Sequence, residues 1–472
     1  MRERLTFNHG AAAVAWPEPA VGATEPGVRP PTLAPARVRD LRPTLAYWGA
    51  WTFTALLFFR PQDTFPILEP LHLSEVSAIV GLLALLSARI SAGQPPIRLM
   101  PEVMGVLGLA TVMVATVPFS VWPGGALNAF IEVYLKVALI FVLLTHSVLS
   151  IEMLRRLNWL MVLAMGYVAI RGTFDYVRGA NIIDGRLWGP VEGLMGNPND
   201  FAMNMVTFLP FGLVVAFGRE PRFRRAVAAL GAIAMLAVIV FTKSRASMLG
   251  VAAMLLVLII QAGRIRSSLM VALVLGSLVI VPAAPPSIWV RVSSILDSEE
   301  DETGSREARM ELMKEGWRTF LDHPLTGVGV AQFQNYNPPD RVVMWHETHN
   351  VLLQVLAELG IGGGFFFLFL MGCTVAALVH TRRLIWRARR HLARAGPEDP
   401  PAFSARELDR LNMHVVAATA GFAGWVTCAQ FASVGYYWTY YYLLALIVIG
   451  REVTRGRVKA AQRAAARPGG AA

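Results

Sequence analysis

The chain has 472 residues, of which 55% are hydrophobic and only 16% are charged, and its mean hydropathy is +0.49. A soluble domain would carry about a quarter charged residues, so this composition argues against an ordinary soluble protein and indicates one built in a lipid bilayer. The net charge of +11 does not indicate a nucleic-acid partner. The arginines form short clusters between apolar stretches, rather than one basic face interleaved with aromatic residues.

The N-terminal segment, residues 1–43, is rich in Pro, Ala and Arg and lacks the apolar core of a secretory signal. We therefore expect a disordered cytoplasmic tail here. The two cysteines, Cys373 and Cys428, both fall within apolar stretches. That placement is typical of packing residues and supports neither a disulfide framework nor a thiolate metal site.

Twelve apolar stretches follow along the chain, each near the roughly 20 residues that cross a bilayer. They lie near 44–59, 74–90, 102–118, 128–149, 157–174, 201–218, 226–242, 246–262, 268–284, 351–380, 412–433 and 436–450. The sequence thus predicts an all-α integral membrane protein with about twelve transmembrane helices. For the tenth stretch, an interfacial helix over 350–360 leading into a span near Gly362 is an alternative.

The distribution of Lys and Arg predicts how these helices are oriented. If the N-terminus is inside, the inner segments hold 30 of the 43 cations and the outer segments hold 12. Positive charge concentrates on the cytoplasmic side of membrane proteins, so both termini are expected there. The predicted divisions are the tail 1–43, nine helices over 44–284, one large outer loop over 285–349, three helices over 350–450 and a basic tail over 451–472.

The large outer loop is predicted to be partly helical. Near 305–321, Met313, Trp317, Phe320 and Leu321 recur at helical spacing, opposite a set of charged residues.

The densest polar cluster of the outer face is 345–350, directly before the tenth span. A histidine such as His349 can take a proton from a hydroxyl near neutral pH, because its unperturbed pKa is about 6.5. His346 stands three residues away, but no third ligand completes a recognisable metal spacing. Capping of the next helix by Thr348 or Asn350 explains the cluster equally well.

Cations near two other outer turns suggest an anion-binding surface. Lys243 and Arg245 occupy a turn that joins two spans, where a guanidinium could clamp a diphosphate or extend to lipid headgroups. Arg306 opens the loop helix, and a helix N-terminus favours an anion. A solvated helix face explains Arg306 and Arg309 as well.

A polar turn precedes the sixth span. Asn197, Pro198 and Asn199 are typical of a turn and a helix cap, which is the default interpretation. Their amides could also line a sugar pocket, with Arg186 and Trp188 in the same outer loop.

Several of these motifs occur in a characteristic order over roughly residues 180–380. They are Gly196-Asn197-Pro198-Asn199, Lys243-Ser244-Arg245, Ser305-Arg306, Pro324-Leu325-Thr326-Gly327-Val328-Gly329, and Thr348-His349-Asn350 with Gly360 after nine intervening residues. In this order they resemble the O-antigen ligase and polymerase superfamily of bacterial envelope glycosyltransferases.

The resemblance implies an enzyme of the bacterial inner membrane that needs neither a metal nor a cofactor. It would move a glycan from an undecaprenyl-diphosphate carrier to an acceptor hydroxyl on the periplasmic face. His349 would be the base, and Arg245 with Arg306 would hold the diphosphate. The substrate-binding residues would be Asn350, Lys243, Asn197, Asn199 and Arg186.

The acceptor would be the lipid A core for a ligase, or another carrier-linked glycan for a polymerase. The chain departs from the commoner ligase pattern at Ile361-Gly362-Gly363-Gly364, which leaves both enzymes open. A flippase for the same lipid-linked sugars is the alternative from another class. Such a transporter would place its ionisable groups near the bilayer midplane rather than at one face.

Overall fold

A computed structural model describes residues 44–191, 195–261, 263–272, 305–394 and 403–465. The predicted tail 1–43 and most of the predicted span 268–284 lie outside the described residues, as does the first part of the large loop. Twelve helices of twelve or more residues organise the rest. They are α1 (Leu45–Phe59), α2 (Leu73–Ser91), α3 (Pro101–Thr116), α4 (Pro123–Ser147, with a π-helical stretch at Phe130–Leu135), α5 (Ile151–Val177), α6 (Pro198–Ala216), α7 (Arg222–Phe241), α8 (Arg245–Gln261), α9 (Ser305–Asp322), α10 (Val351–Arg394), α11 (Ala405–Ala429) and α12 (Trp438–Ala465).

Each predicted span except 268–284 coincides with one of these helices, and the all-α membrane class is confirmed. By length and hydropathy, seven helices within the described ranges are able to cross a membrane. The predicted number of twelve spans therefore stays a prediction. Helices α1 and α8 have only 15 and 17 residues, which is short for a full crossing.

Helix α12 falls outside those seven because its tyrosines and charged residues lower its hydropathy, and part of it runs through the interior of the helical bundle. All ten residues from 441 to 450 are buried, including Tyr441 and Tyr442. A helix surrounded by other helices need not offer an apolar surface to lipid, so tyrosines and threonines are tolerated along it. Tyr440, for example, shares a 2.9 Å hydrogen bond with Thr374 of α10.

A short hairpin of two two-residue strands lies in the loop that follows α5. Its strands, β1 (Ile182–Ile183) and β2 (Arg186–Leu187), pair antiparallel, with Ile183 opposite Arg186. Asp184 and Gly185 form the turn, both with positive φ (50° and 66°), as the Asp-Gly pair of a tight hairpin requires. The hairpin fixes the backbone position of Arg186.

Helix α10 is broken at Gly360, where φ is 62° and ψ is −160°. The break agrees with the alternative of a separate short helix before the span. The segment 324–329 packs into the break. The Val328 amide donates to the Ala357 carbonyl at 3.0 Å, and the Gly329 amide donates to the Glu358 carbonyl at 2.9 Å. A Cβ on Gly327 would lie 2.2 Å from the Glu358 carbonyl carbon, so only glycine fits.

Replacing Gly327 by valine is therefore expected to detach this segment from α10. The substitution combines a positive φ of 62° with a backbone collision, which neither side chain motion nor rotamer choice can relieve. Limited proteolysis of the purified protein should show faster cleavage in the large loop. Gly372 is the matched control, because nothing lies within 4 Å of its Cβ position and alanine there should be tolerated. Equal proteolysis of the two variants would contradict the packing role.

The predicted loop helix is confirmed as α9, but its apolar stripe is not its buried side. Trp317 and Leu321 are 48% and 57% exposed, whereas Leu312, Glu315 and Thr319 are buried. Polar residues occupy the buried side because Glu315 meets a buried arginine from the same loop. The spacing of apolar residues alone does not show that the polar face of α9 is the buried one.

Candidate active site

His349 lies in the loop directly before α10, and its neighbours hold the backbone in place. Asn350 caps α10, because its Oδ1 accepts from the Leu352 and Leu353 amides, both at 3.0 Å. Its Nδ2 donates to the Gln430 carbonyl at 3.2 Å. The capping interpretation of Asn350 is thus confirmed, and its amide links α10 to the end of α11.

Ser433, between α11 and α12, fixes the His349 backbone from the other side. Its hydroxyl accepts from the His349 amide at 3.0 Å and lies 3.0 Å from the Thr348 hydroxyl, which is fully buried. His349 itself adopts φ of 51°. Among the described residues, none hydrogen-bonds the imidazole, so this ring is available to a ligand.

Helix α9 packs directly over this loop and brings a cation to it. A Cβ on Gly316 would lie 3.2 Å from the Thr348 side chain, and Arg309 precedes Gly316 by seven residues on the same helix face. Burial, together with the positive charges of Arg309 and His346, lowers the pKa of His349 to about 4. The imidazole is therefore neutral at pH 7 and carries a lone pair that can accept a proton.

Replacing Arg309 by alanine should raise the pKa of His349, since the guanidinium disfavours the protonated ring. Burial is the larger cause and remains, so the pKa should stay below its ordinary value of 6.5. Deuterium exchange at the imidazole carbon, followed by mass spectrometry across pH, measures this value directly. Arg318→Ala is the matched control, because Arg318 is an exposed cation on the same helix. An unchanged His349 titration in Arg309→Ala would contradict the electrostatic contact.

An acidic pair lies close to His349. Partial burial of the Glu347 carboxyl group by the surrounding protein, together with the Asp200 carboxylate, raises its pKa to about 7. Asp200 belongs to the first turn of α6, so this coupling brings the start of α6 and the His349 loop together. Tyr437 lies near both carboxylates, since burial and their negative charges raise the pKa of its phenol.

Arg186 connects three further segments at this end of the helical bundle. Its Nε donates to the Thr242 carbonyl at 3.0 Å, and its Nη2 donates to Asn199 Oδ1 at 2.8 Å. The hairpin, the turn before α8 and the start of α6 are therefore held as one surface. Lys243 Nζ lies near Gly185, 3.6 Å from where a Cβ would be, and Arg245 begins α8.

Asn197 has the structural role that the default interpretation gave it. Its Oδ1 accepts from the amides of Asn199 and Asp200, both at 2.9 Å, and so caps α6. Its Nδ2 donates to the Asp200 carboxylate at 2.5 Å.

The structure thus gathers most of the predicted residues at one end of the helical bundle, although in two groups. The loop of His349 and Asn350 meets α9, and the cationic turns of Lys243 and Arg245 meet the hairpin. Asp200 and Glu347 lie where the groups adjoin. Arg306 is the exception, because its side chain lies outside the described residues and its role stays a prediction.

Sequence reasoning missed Ser433 and the buried pair of Glu315 and Arg341, and it considered Arg309 only as part of a solvated helix face. Ser433 accepts a hydrogen bond from the His349 amide, which is 84 residues away in sequence, so no local pattern reveals this contact. Arg309 could have been singled out, since it lies three residues after Arg306 on the same helix. Arg341 is 5% exposed and carries hydrogen bonds to five carbonyl or carboxylate groups, including the His346 carbonyl at 2.8 Å.

No group of three or more His, Cys, Asp and Glu side chains in the part of the chain that the structure describes could hold a metal ion.

A search of curated proteins found no match to the chain. Residues 230–368 match the family model Wzy_C, described as O-Antigen ligase. The matched segment runs from α7 into α10 and contains Lys243, Arg245 and His349, whereas Arg186 and Asn197 precede it. This match confirms that the chain resembles the O-antigen ligase and polymerase superfamily.

Proposed function

We propose that this protein transfers a glycan from an undecaprenyl-diphosphate carrier to an acceptor hydroxyl at the periplasmic face of the bacterial inner membrane. Both termini would be cytoplasmic, and the loop that contains α9 would be periplasmic. The observation that carries the proposal is the position of His349, whose backbone is held by Ser433 and whose ring adjoins Arg309, at the end of the bundle that also presents Lys243 and Arg245.

The reaction needs a base and a place for negative charge, and this end of the bundle offers both. The acceptor oxygen attacks the anomeric carbon, His349 takes the hydroxyl proton, and the bond from that carbon to the diphosphate oxygen breaks. The electron pair leaves with the diphosphate, which cations stabilise without a proton donor. A single displacement of this kind inverts the anomeric centre.

The low pKa of His349 fits this sequence of events. Before the donor arrives, the ring is neutral and able to accept a proton. A bound diphosphate brings negative charge close to the ring, which favours the protonated form and strengthens the base during the reaction. Arg309 and Arg245 would compensate the rest of that charge.

Arg245→Ala should lower kcat/KM for the carrier-linked donor by about tenfold to a hundredfold, the effect of losing a charge-assisted hydrogen bond. Arg245→Lys should recover part of this loss, because it keeps the charge but not the two-point geometry of the guanidinium. Donor kinetics in proteoliposomes measure both. Arg178→Ala is the control, since Arg178 follows α5 on the same face and stacks on Phe174. Kinetics of Arg245→Ala equal to the parent would contradict the clamp.

The choice between ligase and polymerase concerns the acceptor, and a deletion strain tests it. Loss of a polymerase leaves carriers that hold a single repeat unit, whereas loss of a ligase leaves carriers that hold long chains. Mass spectrometry of carrier-linked glycans separates these outcomes. Unchanged carrier-linked glycans in the deletion strain would contradict both.

A further inference from the structure

A cavity of about 350 Å³ lies at the end of the bundle opposite His349, between the start of α5, the end of α6 and the start of α11. The glycan-transfer proposal makes no use of it. This end carries the cation-rich segments 150–156, 219–225, 381–394 and 403–411, which the positive-inside rule assigns to the cytoplasm.

The rim of the cavity is strongly basic. Its cations are Arg155, Arg219, Arg224, Arg406 and Arg410, and its acids are Glu220 and Asp409. Glu220 is shared between Arg224 at 3.4 Å and Arg410 at 3.9 Å, and Asp409 pairs with Arg219 and with Arg389. Arginines outnumber acids on this rim, so it retains positive charge to offer an anion.

Below the rim, the walls are apolar, with Leu154 and Val162 from α5 and Phe211 and Val215 from α6. Arg224 lies over the ring of Trp159 at 5.8 Å, which places an aromatic surface between the charged and apolar zones. A ligand that satisfies this cavity therefore has an anionic head and an apolar body.

A hydrogen bond between Asn158 of α5 and His414 of α11 forms part of the cavity wall. His414 Nε2 lies 3.0 Å from the Leu446 carbonyl, so it carries the proton, and Nδ1 accepts from Asn158 Nδ2 at 2.9 Å. This fixes the amide orientation and leaves Asn158 Oδ1 buried, without a partner among the described residues. A buried carbonyl oxygen of this kind costs free energy unless a hydroxyl or a water donates to it.

We propose that this cavity binds an anionic phospholipid of the cytoplasmic leaflet. The phosphate meets Arg224 and Arg410, and the first acyl carbons cover the apolar walls. Basic pockets between transmembrane helices on the cytoplasmic side bind anionic lipids in this way. A free phosphate shares the chemistry of the rim, but it would leave the apolar walls uncovered.

Native mass spectrometry of the full-length protein, titrated with phosphatidylglycerol in a phosphatidylcholine background, tests the proposal. The double variant Arg224→Ala/Arg410→Ala should bind phosphatidylglycerol about tenfold more weakly than the parent. Arg382→Ala/Arg383→Ala is the matched control, because it removes two exposed cations near the same end that do not line the cavity. Equal binding by the parent and the cavity variant, or equal weakening by the control, would overturn the proposal.

A second variant separates a lipid from a free anion and keeps the arginines intact. Val215→Trp fills the apolar wall, so phosphatidylglycerol binding should fall while the rim charge is unchanged. Inorganic phosphate should compete with the lipid only weakly. If phosphate displaces the lipid readily and Val215→Trp binds lipid like the parent, the site is a free-anion site and the lipid assignment fails. Since the readout is lipid retention, it is independent of glycan transfer.

Discussion

His349→Ala is expected to lower glycan transfer by about a hundredfold to ten-thousandfold, the range that a positioned general base contributes. The imidazole is held by backbone contacts, and its own nitrogens have no hydrogen-bonding partner among the described residues. Removing it should therefore leave the fold of the loop intact. In a deletion strain, a normally expressed His349→Ala variant should fail to restore the surface glycan.

His346→Ala is the matched control for that experiment. His346 is an exposed histidine three residues away, and its Nδ1 lies 2.6 Å from the Met344 carbonyl. Because it is not assigned to the reaction, its loss should leave the surface glycan nearly normal. Normal glycan from His349→Ala, or equal loss from both variants, would remove the assignment of His349 as the base.

Arg341→Ala is expected to cost about 3–5 kcal/mol, the usual effect of leaving a buried charge without its partner. Arg341 donates to Glu315 at 3.1 Å, to the Phe333 carbonyl at 2.7 Å and to the His346 carbonyl at 2.8 Å. Its loss should loosen α9 and the segment that leads to His349 together. Thermal unfolding in detergent and proteolysis of the loop measure the effect, and glycan transfer should fall as a consequence.

Two further variants test whether the lost stability comes from the ion pair between Arg341 and Glu315. Lys314→Ala removes an exposed cation of α9, whose ionic partner among the described residues is Glu311 at 3.0 Å, and should change stability little. The double variant Arg341→Met/Glu315→Leu removes both buried charges, so it should be more stable than Arg341→Ala alone. If Arg341→Ala unfolds at the same temperature as the parent, the pair does not hold the loop.

Most of the fold was predictable because lipid imposes a simple rule on sequence, namely apolar stretches of a minimum length. The rule works where helices face lipid, as in α2 and α7. It is weakest for α12, whose residues Tyr440 to Tyr442 are buried against other helices and need not be apolar. The number of spans was therefore harder to predict than their positions.

The site was predictable where residues act near their own position in the chain. Asn197 and Asn350 cap the helices that they precede. Contacts between distant segments left no local signal. Ser433 meets His349, and Arg341 meets Glu315, through pairings that only the folded chain creates.

Glycan transfer requires that this protein takes carrier-linked glycan as a substrate and changes it chemically. Purified protein in proteoliposomes, supplied with undecaprenyl-diphosphate-linked glycan and an acceptor, tests it by the release of undecaprenyl diphosphate. One carrier should be released for each glycan transferred, and almost none by His349→Ala. Movement of the intact carrier-linked glycan across the bilayer, with no carrier released, would contradict glycan transfer and indicate a flippase.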